Sequence, residues 1–251
     1  MLRKLILKEF FVTLATKSLS RHLCTMTKTL FSLGHGYTAS ALARRMIPQG
    51  WRVIGTIRDE AKTDSLRAQG VEPVLWEPEA LAKALTQASH LLISAGANDD
   101  GDPTLNAIGP QPTTGVYGDH DGAWVDETAP LTPSTHRGEI RVAAETAWQT
   151  IPNLPLHIFR LAGIYGPGRG PFAKVRAGTA QRIIKTGQVF SRIHVDDIAQ
   201  ILAASIAAPS SGAVYNVCDD VPAPPQDVIA YAAQLLDVEL PPASKMSLGS
   251  N

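Results

Sequence analysis

The stretch from Thr29 to Asp59 constrains this chain more than any other. An apolar run (Leu30, Phe31, Leu33) leads into Gly34-His35-Gly36-Tyr37-Thr38-Ala39. A helical pattern follows through Ala41, Leu42, Met46 and Ile47, and after Gly50 a second apolar run extends from Trp51 to Ile57. The order is strand, glycine turn, helix, strand. Gly34 permits a tight turn after the strand. Gly36, lacking a Cβ, lets a pyrophosphate approach the backbone and the helix N-terminus. Ala39 stands where a third glycine would let the helix pack closely on the strand. The pattern is informative because of its context, after a strand and at the opening of a helix.

The end of the second strand bears on which dinucleotide would bind. NAD selection normally uses an Asp or Glu about twenty residues beyond the first glycines, on the ribose 2′-hydroxyl. This strand ends Gly55-Thr56-Ile57-Arg58, with no acid at the tip. Arg58 can instead make charge-assisted bonds to a 2′-phosphate, each worth roughly 1.5–3 kcal/mol. Lys62 lies one helical turn further on, and Asp59 would weaken the preference only by turning inward. NADP is the expected cofactor, with NAD as the lesser option.

The 251 residues suffice for one good core and a small appended lobe. Lys and Arg balance Asp and Glu at 23 each, which argues against a dedicated nucleic-acid or polyanion binder. Cys24 and Cys218 suggest no disulfide framework, and no Cys/His spacing resembles a zinc site. No apolar run is long enough to span a membrane. Met1 to Lys28 holds six Lys or Arg and one acid, Glu9. Residues 1–25 are therefore either a basic, hydroxylated mitochondrial leader or sequence upstream of a true start at Met26. The second is the simpler reading, since MTKTLF runs straight into the first strand, and it implies a cytoplasmic protein.

Further along, Val71 to Trp76 reads as a strand, Glu79 to Ala88 as a helix and His90 to Ser94 as a fully buried strand. Val142 to Trp148 belongs to a helix and Leu156 to Leu161 to a strand. Gly163 to Pro171 (GIYGPGRGP) is expected to be an irregular glycine-rich loop. Arg192 to Asp197 (RIHVDD) leads into a helix from Ile198 to Ala207, with Asp197 or its neighbour as the cap. Val214 to Val217 is a short strand and Pro225 to Leu236 a final helix. Repeated strand–helix–strand units imply a three-layer α/β fold, a doubly wound parallel sheet with helices on both faces.

Five separated motifs, GHGYTA, TTGVYG (Thr113 to Gly118), IYGPG (Ile164 to Gly168), RIHVDD and YNVCDDVP (Tyr215 to Pro222), occur in this order from Thr29 to Leu240. In this the chain resembles the extended, atypical short-chain dehydrogenase/reductases, the NAD-dependent epimerase/dehydratase family. The resemblance implies an NAD(P)-binding Rossmann domain over residues 26–251 with a small C-terminal substrate lobe, its substrate-side segments at about 163–192 and 215–251. It assigns Gly34, Gly36, Tyr37 and Thr38 to the pyrophosphate and Ser94 to the cofactor cleft. Thr113, four residues before Tyr117, takes the place of the Ser or Thr that binds the substrate oxygen.

The chain departs from the family at the acid/base pair. Where the resemblance expects Tyr-x-x-x-Lys, with Glu145 fixing the register, the sequence reads Arg137-Gly138-Glu139-Ile140-Arg141. Four-residue spacing puts both side chains on one helix face. Arg141 can serve as cation and ribose anchor, with different geometry. Arg137 cannot replace a tyrosine as general acid, because a guanidinium holds its proton at neutral pH. Tyr117 and Tyr165 are substitute acids whose family positions suggest packing and loop shaping instead. A second departure is the stretch Ala95 to Pro112, too short and proline-rich for the helix and strand the family places there.

Arg169, Lys174, Arg176 and Arg192 cluster at or beyond the glycine-rich loop, where they fit an anionic substrate or merely a solvated basic surface. Two functions stay open. One is an NADP-binding, epimerase/dehydratase-like oxidoreductase of a small anionic or sugar-derived substrate, using Thr113, Arg137 and Arg141. The other is a dinucleotide-binding regulatory or scaffold protein without chemistry. Neither involves a metal, a nucleic acid or a membrane, and the oligomeric state is not legible.

Overall fold

A computed structural model of the chain describes residues 28–95 and 114–245. Strand β1 (Thr29–Leu33) is buried along its whole length and lies inside a four-stranded parallel sheet with β2 (Arg52–Ile57), β3 (Val71–Leu75) and β4 (His90–Ile93). The spatial order is β3-β2-β1-β4. Phe31 of β1 aligns with Ile54 of β2 and Leu91 of β4.

Alternation along β1 and β2 builds the layers. Leu30, Val53 and Ile57 enter one core with Ala41, Leu42 and Met46 of α1 (Tyr37–Met46) and Val195, Ile198 and Leu202 of α6 (Val195–Ala207). Phe31, Leu33 and Ile54 point the other way, against Leu81, Ala84 and Leu85 of α3 (Pro78–Gln87). Helices thus cover both faces, and the expected doubly wound, three-layer α/β arrangement is the one observed. The short helix α2 (Thr63–Ala68) connects β2 to β3 and buries Leu66 in the first core.

Helix α4 (His136–Gln149) starts at Thr135, whose hydroxyl accepts from the Gly138 N–H at 3.1 Å. It leads to β5 (Ile158–Leu161), which pairs in parallel with β9 (Val214–Val217). Among the described residues no strand joins β4 to the β5–β9 pair. The segment expected to be shortened lies, from residue 96 on, outside the described residues, as do Thr113, Cys24 and residues 1–25.

Two local expectations are corrected. Gly163–Tyr165 is a strand, β6, pairing in parallel with β8 (Arg192–His194). Its one aliphatic residue, Ile164, packs against the first core, and the Gly163 N–H bonds to the Ser191 carbonyl. Helix α6 starts three residues earlier than read, and its cap is His194, whose ring nitrogen accepts from the Asp196 N–H at 3.3 Å. Asp196 and Asp197 lie in the first turn instead, where negative charge is favoured.

The C-terminal lobe consists of α5 (Pro171–Arg176), α7 (Pro225–Leu235) and the parallel pair β7 (Arg182–Ile184) and β10 (Ala243–Lys245). Its small core joins Val175 and Ala180 to Ala232 and Ala233. No helix among the described residues is long and apolar enough to cross a membrane.

Candidate functional site

The site forms where β1 ends and α1 begins. Gly34 adopts φ +82°, a region that penalises any Cβ. Three elements hold it: its N–H donates to Thr56 Oγ1 of β2 (2.7 Å), its carbonyl accepts from Ser94 Oγ (2.6 Å), and Ser94 N donates to the Leu33 carbonyl (2.7 Å). Ser94 therefore stands beside the glycine turn, with its hydroxyl given to it. A methyl at Gly34 would fall 2.4 Å from the Ala95 nitrogen, whereas one at Gly36 would meet only the Gly34 carbonyl oxygen, at 3.8 Å.

These two glycines therefore do different work. Gly34→Ala is expected to cost about 1–2 kcal/mol from backbone conformation alone, or roughly 2–8 °C in melting temperature, with the clash adding to it. Gly36→Ala should melt like the parent and yet lose anion binding, because its methyl projects into the open space above the turn. Thermal melts of both variants, with and without dinucleotide, check this. Equal destabilisation of the two would contradict it.

Above Gly36 the N-terminus of α1 is open. The cap makes no side-chain hydrogen bond, and the first turn contains no acid. The free N–H groups at Tyr37 and Thr38 therefore form a positive end without an internal counter-charge, which suits a pyrophosphate. The side chain of Tyr37 points elsewhere: its hydroxyl donates to the Pro167 carbonyl at 2.9 Å.

Arg58, just past β2, is exposed, and its guanidinium lies 5.3 Å from the centre of the Trp76 ring. Asp59 caps the turn Glu60–Lys62 by accepting from the Ala61 N–H, so its carboxylate is engaged locally. Among the described residues Arg58 has no acidic partner.

Sequence reasoning missed His35. Its ring packs on the bare Gly55 α-carbon, where a Cβ would come within 2.7 Å of it. Both ring nitrogens are buried without a partner, and burial lowers its pKa to about 4. The available signal was a histidine between the two glycines with a glycine two residues before the end of the neighbouring strand.

On α4, Arg137 is exposed in the first turn and has no ion-pair or hydrogen-bond partner among the described residues. Arg141, one turn on, is half-buried. Gly138 between them packs on the Gly115 carbonyl. Tyr117 is only 3% exposed and belongs to a buried network. Its hydroxyl donates to Asn216 Oδ1 (2.8 Å) and accepts from Arg160 (2.5 Å), while Arg160 makes a two-pronged pair with Glu145. Burial, followed by a hydrogen bond to Asp219, pushes the Tyr165 pKa up. The structure thus brings together Gly34, Gly36, Tyr37, Thr38 and Ser94, with Arg58 at the adjoining strand end. No group of three or more His, Cys, Asp or Glu among the described residues is placed to hold a metal ion.

No protein-family model matches the chain. A conserved, functionally unknown protein from Silicibacter pomeroyi is 57% identical, with a TM-score of 0.82 over 90% of this chain and 84% of that one. The Escherichia coli K12 protein YeeZ is 29% identical over 89% of each chain. UDP-glucose 4-epimerase from Bifidobacterium longum, solved with NAD+ and UDP, superimposes with a TM-score of 0.70 over 88% of this chain and 86% of its own, at 17% identity. The chain belongs to one family with the Silicibacter pomeroyi protein, and its fold is that of the NAD-dependent epimerases and dehydratases, the extended short-chain dehydrogenase/reductases.

Proposed function

We propose that this chain is an NADP-binding oxidoreductase of epimerase/dehydratase type, acting on a small anionic or sugar-derived substrate. One observation carries the cofactor assignment. The acid-free, uncapped start of α1 lies beside a strand end whose one cation, Arg58, is without a carboxylate partner among the described residues, while Asp59 is spent on a cap. In this reading the N–H groups of Tyr37 and Thr38 take the pyrophosphate above the bare α-carbon of Gly36, and Arg58 takes the 2′-phosphate.

The bound nicotinamide would supply the hydride chemistry. The chain's part is to orient and to stabilise charge: Thr113 on the substrate oxygen, Arg141 on the ribose, and Arg137 as a fixed positive charge for a developing alkoxide, with solvent water supplying the proton. The exposure of Arg137 supports a second reading, a dinucleotide-binding protein without turnover, because an unanchored guanidinium is poorly preorganised to stabilise a transition state.

The test is a thermal-melt titration with NADPH and NADH on the wild type and on Arg58→Ala. At a hundred times its dissociation constant a ligand adds about 2.7 kcal/mol, roughly 5–11 °C for a domain of this size. NADPH is expected to give that shift and NADH a smaller one. Arg58→Ala should erase the difference by weakening NADPH about tenfold to a hundredfold. Absence of any shift in a cooperatively melting wild type would remove the dinucleotide reading. Wild-type binding with no turnover across sugar nucleotides and small hydroxy acids would favour the second reading.

A further inference from the structure

The structure assigns a further cofactor ligand: Arg169, in the loop after β6, clamps the dinucleotide's pyrophosphate over the N-terminus of α1. This rests on the dinucleotide reading above and adds to it a residue and a loop from the far side of the sequence.

The loop from Gly166 to Arg169 is closed by two backbone hydrogen bonds between those residues, at 2.9 and 3.0 Å. It is tied to the first residue of α1 by the Tyr37 hydroxyl on the Pro167 carbonyl. The bare α-carbon of Gly166 makes this approach possible, since a Cβ there would come within 2.6 Å of the Tyr37 oxygen. The loop so docked carries Arg169 over the Tyr37 ring, its guanidinium 5.7 Å from the ring centre.

The charges around it favour an anion. Arg169 is exposed and has no carboxylate partner among the described residues, whereas Arg44, Arg52, Arg67 and Arg160 each have one. Tyr37 carries the open N–H end of α1 on its backbone and Arg169 on its ring, so one residue presents both halves of a diphosphate site. An exposed guanidinium on the ring of half-buried Tyr37 is held more weakly than one bridging phosphate oxygens. The arginine therefore leaves the ring for the phosphates when they arrive. Its sequence neighbours do not share this position: Lys174 and Arg176 lie on α5 in the C-terminal lobe, with Arg176 over Phe172. The basic residues after the glycine-rich loop thus divide, and Arg169 falls on the cofactor side.

Calorimetry on the full chain, comparing wild type with Arg169→Ala, tests the assignment. The probes are NADPH and 2′-AMP, which keeps the adenosine end and lacks the diphosphate. NADPH should bind the variant about tenfold to a hundredfold more weakly, and 2′-AMP should bind it within twofold of wild type. Trypsin gives a second readout on the wild type alone: NADPH should slow cleavage after Arg169 and 2′-AMP should not. NADPH binding unchanged in the variant, equal losses for both probes, or cleavage indifferent to NADPH would each overturn the assignment and leave the dinucleotide site standing. A wild type that binds neither probe would bring down both.

Discussion

Replacing Arg160 by methionine is expected to cost about 3–5 kcal/mol of stability, because it strands a buried carboxylate. Arg160 is 4% exposed and Glu145 2%, so neither charge reaches solvent. The pair is two-pronged, and the third arm of the guanidinium runs through the Tyr117 hydroxyl to Asn216, whose N–H in turn donates to Glu127 Oε1 at 2.5 Å. Helix α4, strands β5 and β9 and the turn at Tyr117 therefore meet on one ion pair. Glu145→Met should cost a similar amount by leaving the arginine uncompensated. The double replacement should regain most of the loss, since two apolar side chains need no partner. For a domain of this size each single loss amounts to roughly 6–20 °C in melting temperature. A double-mutant cycle measures it, and two single variants each costing under about 1 kcal/mol would refute it.

The same ion pair shows where sequence reading stops. Glu145 was recognisable as a register mark, but nothing around it named its partner, fifteen residues on in another element. The strand-turn-helix unit at Gly34 was legible because its signals are local: an apolar run, two glycines and a helical period. Strands β6 and β8 were not, because three residues such as Gly163–Tyr165 carry too little pattern to announce a pairing made with Arg192–His194. The start of α6 was misplaced for a related reason. Two aspartates invite a capping role, and only the backbone shows that the helix already includes them. Arg169 read as a substrate-side residue by its place in the chain; folding puts it on a tyrosine far earlier in the sequence. At α4 the substitution of Tyr by Arg137 was plain from sequence, but its exposure was not, since exposure depends on what packs against that helix turn.

Acid should destabilise this protein through the glycine turn itself, and His35 is the reason. Of the five buried side-chain polar atoms without a partner among the described residues, three lie here: both His35 ring nitrogens and Ser32 Oγ. Ser32 is the register partner of Gly55, the residue on which the His35 ring rests. With neither ring nitrogen hydrogen-bonded, the buried ring favours its neutral form, and burial lowers its pKa from 6.5 to about 4. The unfolded chain therefore takes up a proton near pH 6.5 that the folded chain refuses until about pH 4. Stability from this group is fully present above pH 6.5, falls as pH drops toward 4, and changes no further below that. The loss amounts to about 3–4 kcal/mol at most, since a tenfold change in proton affinity is worth about 1.4 kcal/mol. His90 and His157 are also shifted downward by burial and tilt the curve the same way, so the measurement is a difference. Denaturant melts of wild type and His35→Phe at pH 7, 5.5 and 4.5 should diverge as the medium acidifies, the variant falling less. NADPH affinity in the wild type should decline over the same interval, because the ring that must leave to be protonated lies between the two glycines that shape the site. Parallel stability curves for the two proteins would show that the His35 ring is solvated in both states and that the turn does not depend on its charge.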